Sequence, residues 1–249
     1  ALISRGGYGL TRILPAIDYK AVAKAIAKGT EFVGLSDFTA LQSALLARTG
    51  AISWAGPALG EDFGVDAEPG PDDIMQACFD DLLTGQGEGA GWRLAKNSVA
   101  VAVNLKGPAA STDFKVRRGI LWGGNLSVLS SLVGTPYLPQ IKGGILFLED
   151  VHEHPYRIER MLTQLLHAGV LAQQKAVLIG QFTNYKLVPA HDKGFKLATV
   201  VEWLRSQIKA PVLTGLPFGH VDTKVLLPVG AKVDLVTEGR DALMVWGHI

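Results

Sequence analysis

Residues Gly143 to Gly169, GGILFLEDVHEHPYRIERMLTQLLHAG, carry the pattern that decides the fold. The run Gly143 to Leu148 is apolar without alternation, as expected of a strand covered on both faces. Glu149 to His154 form a polar connection. A helix is then expected to start after Pro155 and stop at Gly169, because proline suits the first helical position and glycine the position just past the end. Within it Ile158, Met161, Leu162, Leu165 and Leu166 make one apolar stripe, while Arg157, Glu159 and Arg160 face elsewhere. A buried strand feeding an amphipathic helix is the repeating unit of an α/β fold.

The alternation continues outward. Downstream come strand Lys175 to Gly180, helix Phe195 to Ile208 and strand Val212 to Thr214. The last runs, Val225 to Leu227, Lys232 to Val236 and Ala242 to Trp246, are separated by Pro228-Val229-Gly230 and Glu238-Gly239-Arg240, so the chain is expected to finish in antiparallel strands. Upstream, Val99 to Leu105 reads as a strand, and the Gly123-Gly124-Asn125 turn opens a helix through about Leu132. Glu31 to Leu35 reads as a short buried strand entering a helix over Phe38 to Arg48, with Phe38, Leu41 and Leu45 on one face. Ala1-Leu2-Ile3 reads as the end of a buried strand, followed at once by the glycine turn Arg5-Gly6-Gly7-Tyr8-Gly9. Thr84 to Gly91 has too many glycines for an element interior and is read as a domain boundary. The expectation is an α/β protein of two domains: residues 1–88, a mostly parallel sheet bearing a nucleophile, and residues 89–249, an α/β domain ending in antiparallel strands.

At 249 residues and 48% hydrophobic composition the chain can bury a large core. The 24 Lys and Arg nearly cancel 23 Asp and Glu, which argues against nucleic acid or an anionic membrane as partner and favours a small neutral or zwitterionic one. No apolar run reaches the roughly 18 residues of a membrane span. The single cysteine, Cys78, excludes an intrachain disulfide. With Ile74 and Leu82 at helical spacing on Asp72 to Leu83, it reads as an ordinary core thiol.

Phe32-Val33-Gly34-Leu35-Ser36-Asp37-Phe38 places a serine at the corner between strand and helix. Such an elbow projects the hydroxyl from the carboxyl edge of a sheet and lets the next backbone N–H, that of Asp37, stabilise an oxyanion. The plain alternative is that Ser36 or Asp37 caps the helix, and Phe38 stands where a second glycine is usual. A serine needs a base and a group that orients the base. His220, in Leu216-Pro217-Phe218-Gly219-His220, follows a strand, though taken alone a surface-loop histidine is the better reading. Glu149 ends a buried strand, where open α/β sheets place active groups, yet it could instead pair with Arg157 or Arg160. The Arg5 to Gly9 turn offers Gly7 N–H as a second oxyanion donor, or is just a turn. Gly123-Gly124-Asn125 could seat a carboxylate at a helix start, or merely pack. His152-Glu153-His154 is half a metal site without convergent partners, and the glycine fingerprints of dinucleotide and phosphate loops are missing, so neither metal nor cofactor is expected.

Together, Arg5 to Gly9, Gly34-Leu35-Ser36-Asp37-Phe38-Thr39, Leu121-Trp122-Gly123-Gly124-Asn125-Leu126, Leu148-Glu149-Asp150 with Glu153 to Arg160, and Phe218-Gly219-His220 resemble the LD-carboxypeptidase family of serine peptidases. That family trims murein tetrapeptides and has the microcin C immunity proteins as near relatives. The resemblance runs in family order along nearly the whole chain. It implies Ser36 as nucleophile, His220 as base and Glu149 as the group orienting the base, with Arg5, Gly6, Tyr8, Gly124 and Asn125 as candidate substrate contacts. It further implies a peptide substrate, a cytoplasmic location in peptidoglycan recycling and a homodimer. Family members carry a strand-and-helix stretch upstream of the Arg-Gly-Gly turn, so the first domain is expected to lack its first strands. A related hydrolase of peptide–nucleotide conjugates and a catalytically silent muropeptide binder are the alternatives.

Overall fold

The structure, a computed structural model, describes residues 1–66, 68, 70–94 and 113–249. The strand expected over Val99 to Leu105 lies outside the described residues. The first part of the chain forms α1 (Leu10–Ile13), α2 (Tyr19–Ile26), β1 (Val33–Gly34), α3 (Phe38–Thr49), β2 (Ser53–Ala55), a π-helical turn over Leu59–Phe63, and α4 (Asp73–Thr84). Then come β3 (Gly89–Arg93), β4 (Phe114–Asn125), α5 (Leu126–Ser131), β5 (Ile145–Val151), α6 (Pro155–His167) and β6 (Ala176–Thr183). The chain continues through α7 (Pro189–Asp192), α8 (Leu197–Gln207), β7 (Val212–Thr214), β8 (Leu227–Val229), β9 (Lys232–Glu238) and β10 (Asp241–Val245).

The decisive stretch behaves as its pattern requires. In β5, Ile145, Leu146, Phe147 and Leu148 are fully buried, and α6 covers them with Ile158, Leu162 and Leu165. His154 caps α6 through its ring, and Pro155 occupies the first helical position. A seven-stranded sheet runs β3-β10-β9-β4-β5-β6-β7. Its β4, β5, β6 and β7 are parallel, whereas β4, β9, β10 and β3 are antiparallel. A smaller sheet, β1-β2-β8, carries the serine elbow, with Leu2 bridging to Val33 in parallel.

Four expectations change. Gly89 to Arg93 is a strand despite its glycines: Ala90 and Trp92 point inward, and a Cβ at Gly89 would lie 2.6 Å from the Met244 carbonyl oxygen, so a small residue is what lets the edge strand pair. Pro228 is not a separator. It sits within β8, an edge strand on which a missing N–H costs no ladder bond, and β8 pairs with β2 rather than with the final hairpin. On α4 the buried residue is Met75; Ile74 is exposed and Cys78 half-buried, because the face turned inward is rotated from the one the Ile74–Cys78–Leu82 spacing suggested. Gly123 and Gly124 lie within β4, near its end, rather than in a free loop.

Those two glycines show how tightly the sheet closes. Both have strongly positive φ, and a Cβ on Gly123 would stand 1.9 Å from the Phe147 carbonyl oxygen, a backbone atom with no room to yield. Gly123→Ala is therefore expected to lose at least about 4 kcal/mol of stability or to fail to fold. A urea midpoint equal to the wild type's would contradict this packing.

Candidate active site

Ser36 stands just past β1, after Leu35, and has φ 61, in the left-handed region that a non-glycine residue enters only when its surroundings hold it there. Gly6 packs so closely that a Cβ there would lie 3.0 Å from Ser36 Oγ. The turn expected to supply oxyanion donors thus does lie against the serine. Among the described residues neither the Asp37 nor the Gly7 amide donates to another protein group, so both remain available to a ligand. Asp37 stands at the N-cap position of α3 but its carboxylate does not cap the helix. It accepts the Leu10 N–H at 2.8 Å and ties the glycine turn to the elbow. An open cleft of about 460 Å³ lies alongside, lined by Arg5, Gly6, Gly7, Tyr8, Asp37 and Phe38.

Glu149 is completely buried near the end of β5, and its Oε2 lies 2.8 Å from His220 Nδ1. The register between β5 and β6 slips at this point, leaving Gly180 and Gln181 opposite Glu149. Gly180 and Gly219 then let the His220 loop approach: a Cβ on Gly180 would meet the Phe218 carbonyl at 2.5 Å, and one on Gly219 would meet that of Gln181 at 2.9 Å. The loop is held by Gln181 N–H donating to Phe218 O, by Thr183 Oγ1 donating to His220 O, and by the edge-on packing of Phe218 against Phe147. With Nδ1 engaged, His220 Nε2 is the nitrogen left for the serine. Among the described residues no hydrogen bond joins Ser36 Oγ to the ring, and proton transfer between them requires the two to come within hydrogen-bond reach.

Asn125 forms the floor. Its side-chain N–H donates to Glu149 Oε1 at 3.2 Å and to Asp150 Oδ1 at 2.9 Å, while its Oδ1 accepts Val128 N–H and caps α5. Its backbone N–H donates to Thr39 Oγ1 on α3, which ties the elbow's helix to the strand beside Glu149. Ser127 donates twice to Asp150 Oδ2. Burial nevertheless pushes the Asp150 carboxyl above the usual carboxylate range, helped by the Glu149 charge and opposed by those hydrogen bonds. For His220, burial disfavours the charged ring, but the hydrogen bond to Glu149 and the carboxylates of Glu149, Glu61 and Asp150 outweigh it and raise its pKa.

The structure thus brings Glu149 and His220 into contact and Gly6 to Ser36. Asn125 is only 5% exposed and spends its polar groups on protein partners, and Gly124 is pressed against Thr39, so neither presents an open anion seat. Arg5 turns back onto the Gly6 carbonyl, and Tyr8 stands 81% exposed at the rim. Arg157 pairs with Glu153 rather than with Glu149, and His154 pairs with Asp192. Glu61 escaped sequence reading. Its Oε2 lies 3.8 Å from the same Gly6 Cβ position that meets Ser36, and its charge raises the His220 pKa.

The LD-carboxypeptidase N-terminal domain profile matches residues 1–56 and the C-terminal domain profile matches residues 118–235. The probable murein peptide carboxypeptidase of Bacillus subtilis is 31% identical over 98% of this chain and 70% of its own length. The chain belongs to the LD-carboxypeptidase family. The solved muramoyltetrapeptide carboxypeptidase of Oxalobacter formigenes is 40% identical and superposes with a TM-score of 0.83 over 99% of this chain and 78% of that one. The microcin C7 self-immunity protein MccF of Escherichia coli is 29% identical over 95% of this chain and 70% of its own length. As an LD-carboxypeptidase family member the chain is a peptidase-type hydrolase of mixed α/β fold, and no helix among the described residues is long and apolar enough to cross a membrane.

Proposed function

We propose that this chain is a serine LD-carboxypeptidase that removes the terminal D-amino acid from a murein tetrapeptide. The observation that carries this reading is the contact between the buried Glu149 carboxylate and His220 Nδ1, which orients the ring and leaves Nε2 free to act as the base. Ser36 attacks the carbonyl on the L-configured side of the scissile bond while His220 takes its proton. The Asp37 and Gly7 amides hold the oxyanion, each such donor typically contributing about 3 to 4 kcal/mol in the transition state. The protonated ring then gives its proton to the leaving amine, and water, activated by the same nitrogen, hydrolyses the ester. The residue division into a nucleophile part, 1–88, and a Glu149–His220 part, 89–249, belongs to this reading, as do a cytoplasmic role in peptidoglycan recycling and a homodimer.

Incubation with murein tetrapeptide, pentapeptide and a peptidyl-adenylate mimic, followed by product mass, tests it. Release of D-Ala from the tetrapeptide with the other two intact is expected. Cleavage of the adenylate mimic alone would replace the reading with the conjugate hydrolase suggested by the likeness to MccF, and no cleavage of any of the three would leave a binder.

A further inference from the structure

Resting on that reading, we infer that Lys224 and Asp62 are positioning residues: their buried ion pair sets the register of the His220 loop against the nucleophile-bearing part of the chain. His220 lies on the crossover from β7, the outer strand of the large sheet, to β8, which joins the small sheet beside β2. Catalysis requires the loop to hold the ring at a fixed place between two sheets, because Ser36 belongs to one and Glu149 to the other. Four residues past His220, Lys224 is buried and its ammonium meets Asp62 Oδ1 in the π-helical turn. Asp62 Oδ2 accepts the Ala58 N–H at 2.7 Å, so the carboxylate is fixed from its other side. Next door Thr223 Oγ1 donates to Asp72 Oδ2 at 2.6 Å, and Asp72 in turn caps α4.

Two consecutive loop residues are therefore fastened by directional bonds to two separate points of the first part of the chain. Glu61, whose charge acts on His220, is the immediate neighbour of Asp62, so the same fastening sets the electrostatics of the ring. Burying an ammonium and a carboxylate contributes little net stability compared with an apolar pair of the same size. What such a pair adds is direction, and a displacement of about 1 Å at a catalytic base can cost roughly 100-fold in rate.

The test compares wild type, Lys224→Met and the double variant Asp62→Leu/Lys224→Met, whose apolar pair preserves packing if the single variant folds poorly. Hydrogen exchange over residues 216–226, melting temperature and tetrapeptide kinetics are read on each. Both variants are expected to show exchange in 216–226 faster by about tenfold, with kcat lower by about 100-fold and KM within about threefold. The double variant is expected to regain the melting temperature but not kcat. Recovery of kcat together with melting temperature, or wild-type exchange in a folded variant, would overturn the inference. A wild type that hydrolyses none of the substrates instead overturns the proposed function, and the exchange comparison still decides whether the pair fixes the loop.

Discussion

Ser36→Ala is expected to lower kcat/KM for the tetrapeptide by about 10⁴-fold or more while the protein folds as before. The methyl side chain fits wherever the hydroxymethyl did, and Ser36 Oγ makes no hydrogen bond to the described residues whose loss would cost stability. The φ of 61 is no easier for Ala than for Ser, so strain at the elbow is unchanged. The drop should appear in kcat with KM little altered, since the hydroxyl acts on the bond being broken rather than on the bound peptide. A steady-state assay with a loss under tenfold would show that another group attacks.

Glu149→Gln is expected to cost about 10⁴-fold in kcat as well, for a different reason: an amide of the same shape cannot both orient the ring and support its positive charge. The pH profile adds a signature. His220 must be neutral to accept the serine proton, and its pKa is raised in the folded protein, so kcat/KM of the wild type climbs only as pH passes above the ordinary histidine value. Without the Glu149 carboxylate the ring loses two of its supports while burial still disfavours its charge, so the residual activity should reach its plateau at lower pH. Stability moves correspondingly. A folded-state pKa above the unfolded one gives a contribution fully present below the ordinary histidine pKa and lost as pH rises through the raised value. The stability advantage of wild type over Glu149→Gln in urea titrations should therefore shrink across that window.

How much of this was legible follows from what each residue does locally. Glu149 and Ser36 announce themselves because each ends an apolar strand run, where backbone direction alone determines that a side chain emerges at the carboxyl edge. His220, in the loop after β7, reads from its local sequence more readily as a surface histidine, and only its contact with Glu149 sets it apart. From the sequence the glycine pair before Asn125 suits an anion seat and simple packing equally well. The actual work of Asn125, bridging Glu149 and Asp150, depends on β4 and β5 lying side by side in register, which no local pattern reports. Lys224 and Asp62 were missed for a related reason, since a lysine between a threonine and a valine reads as solvated unless its partner, 162 residues away, is known. The placement of β8 beside β2 is likewise long-range. Its short apolar run fits either sheet, and the proline that marked it as a break is tolerated because it falls on an edge.

The measurement closest to the central claim is the site and pH dependence of fluorophosphonate labelling, read by peptide mass. The account predicts one adduct, on the peptide containing Ser36, forming faster as pH rises through the raised His220 pKa and absent from Ser36→Ala. An active protein that stays unlabelled, or one that carries the adduct on a different serine, would contradict it.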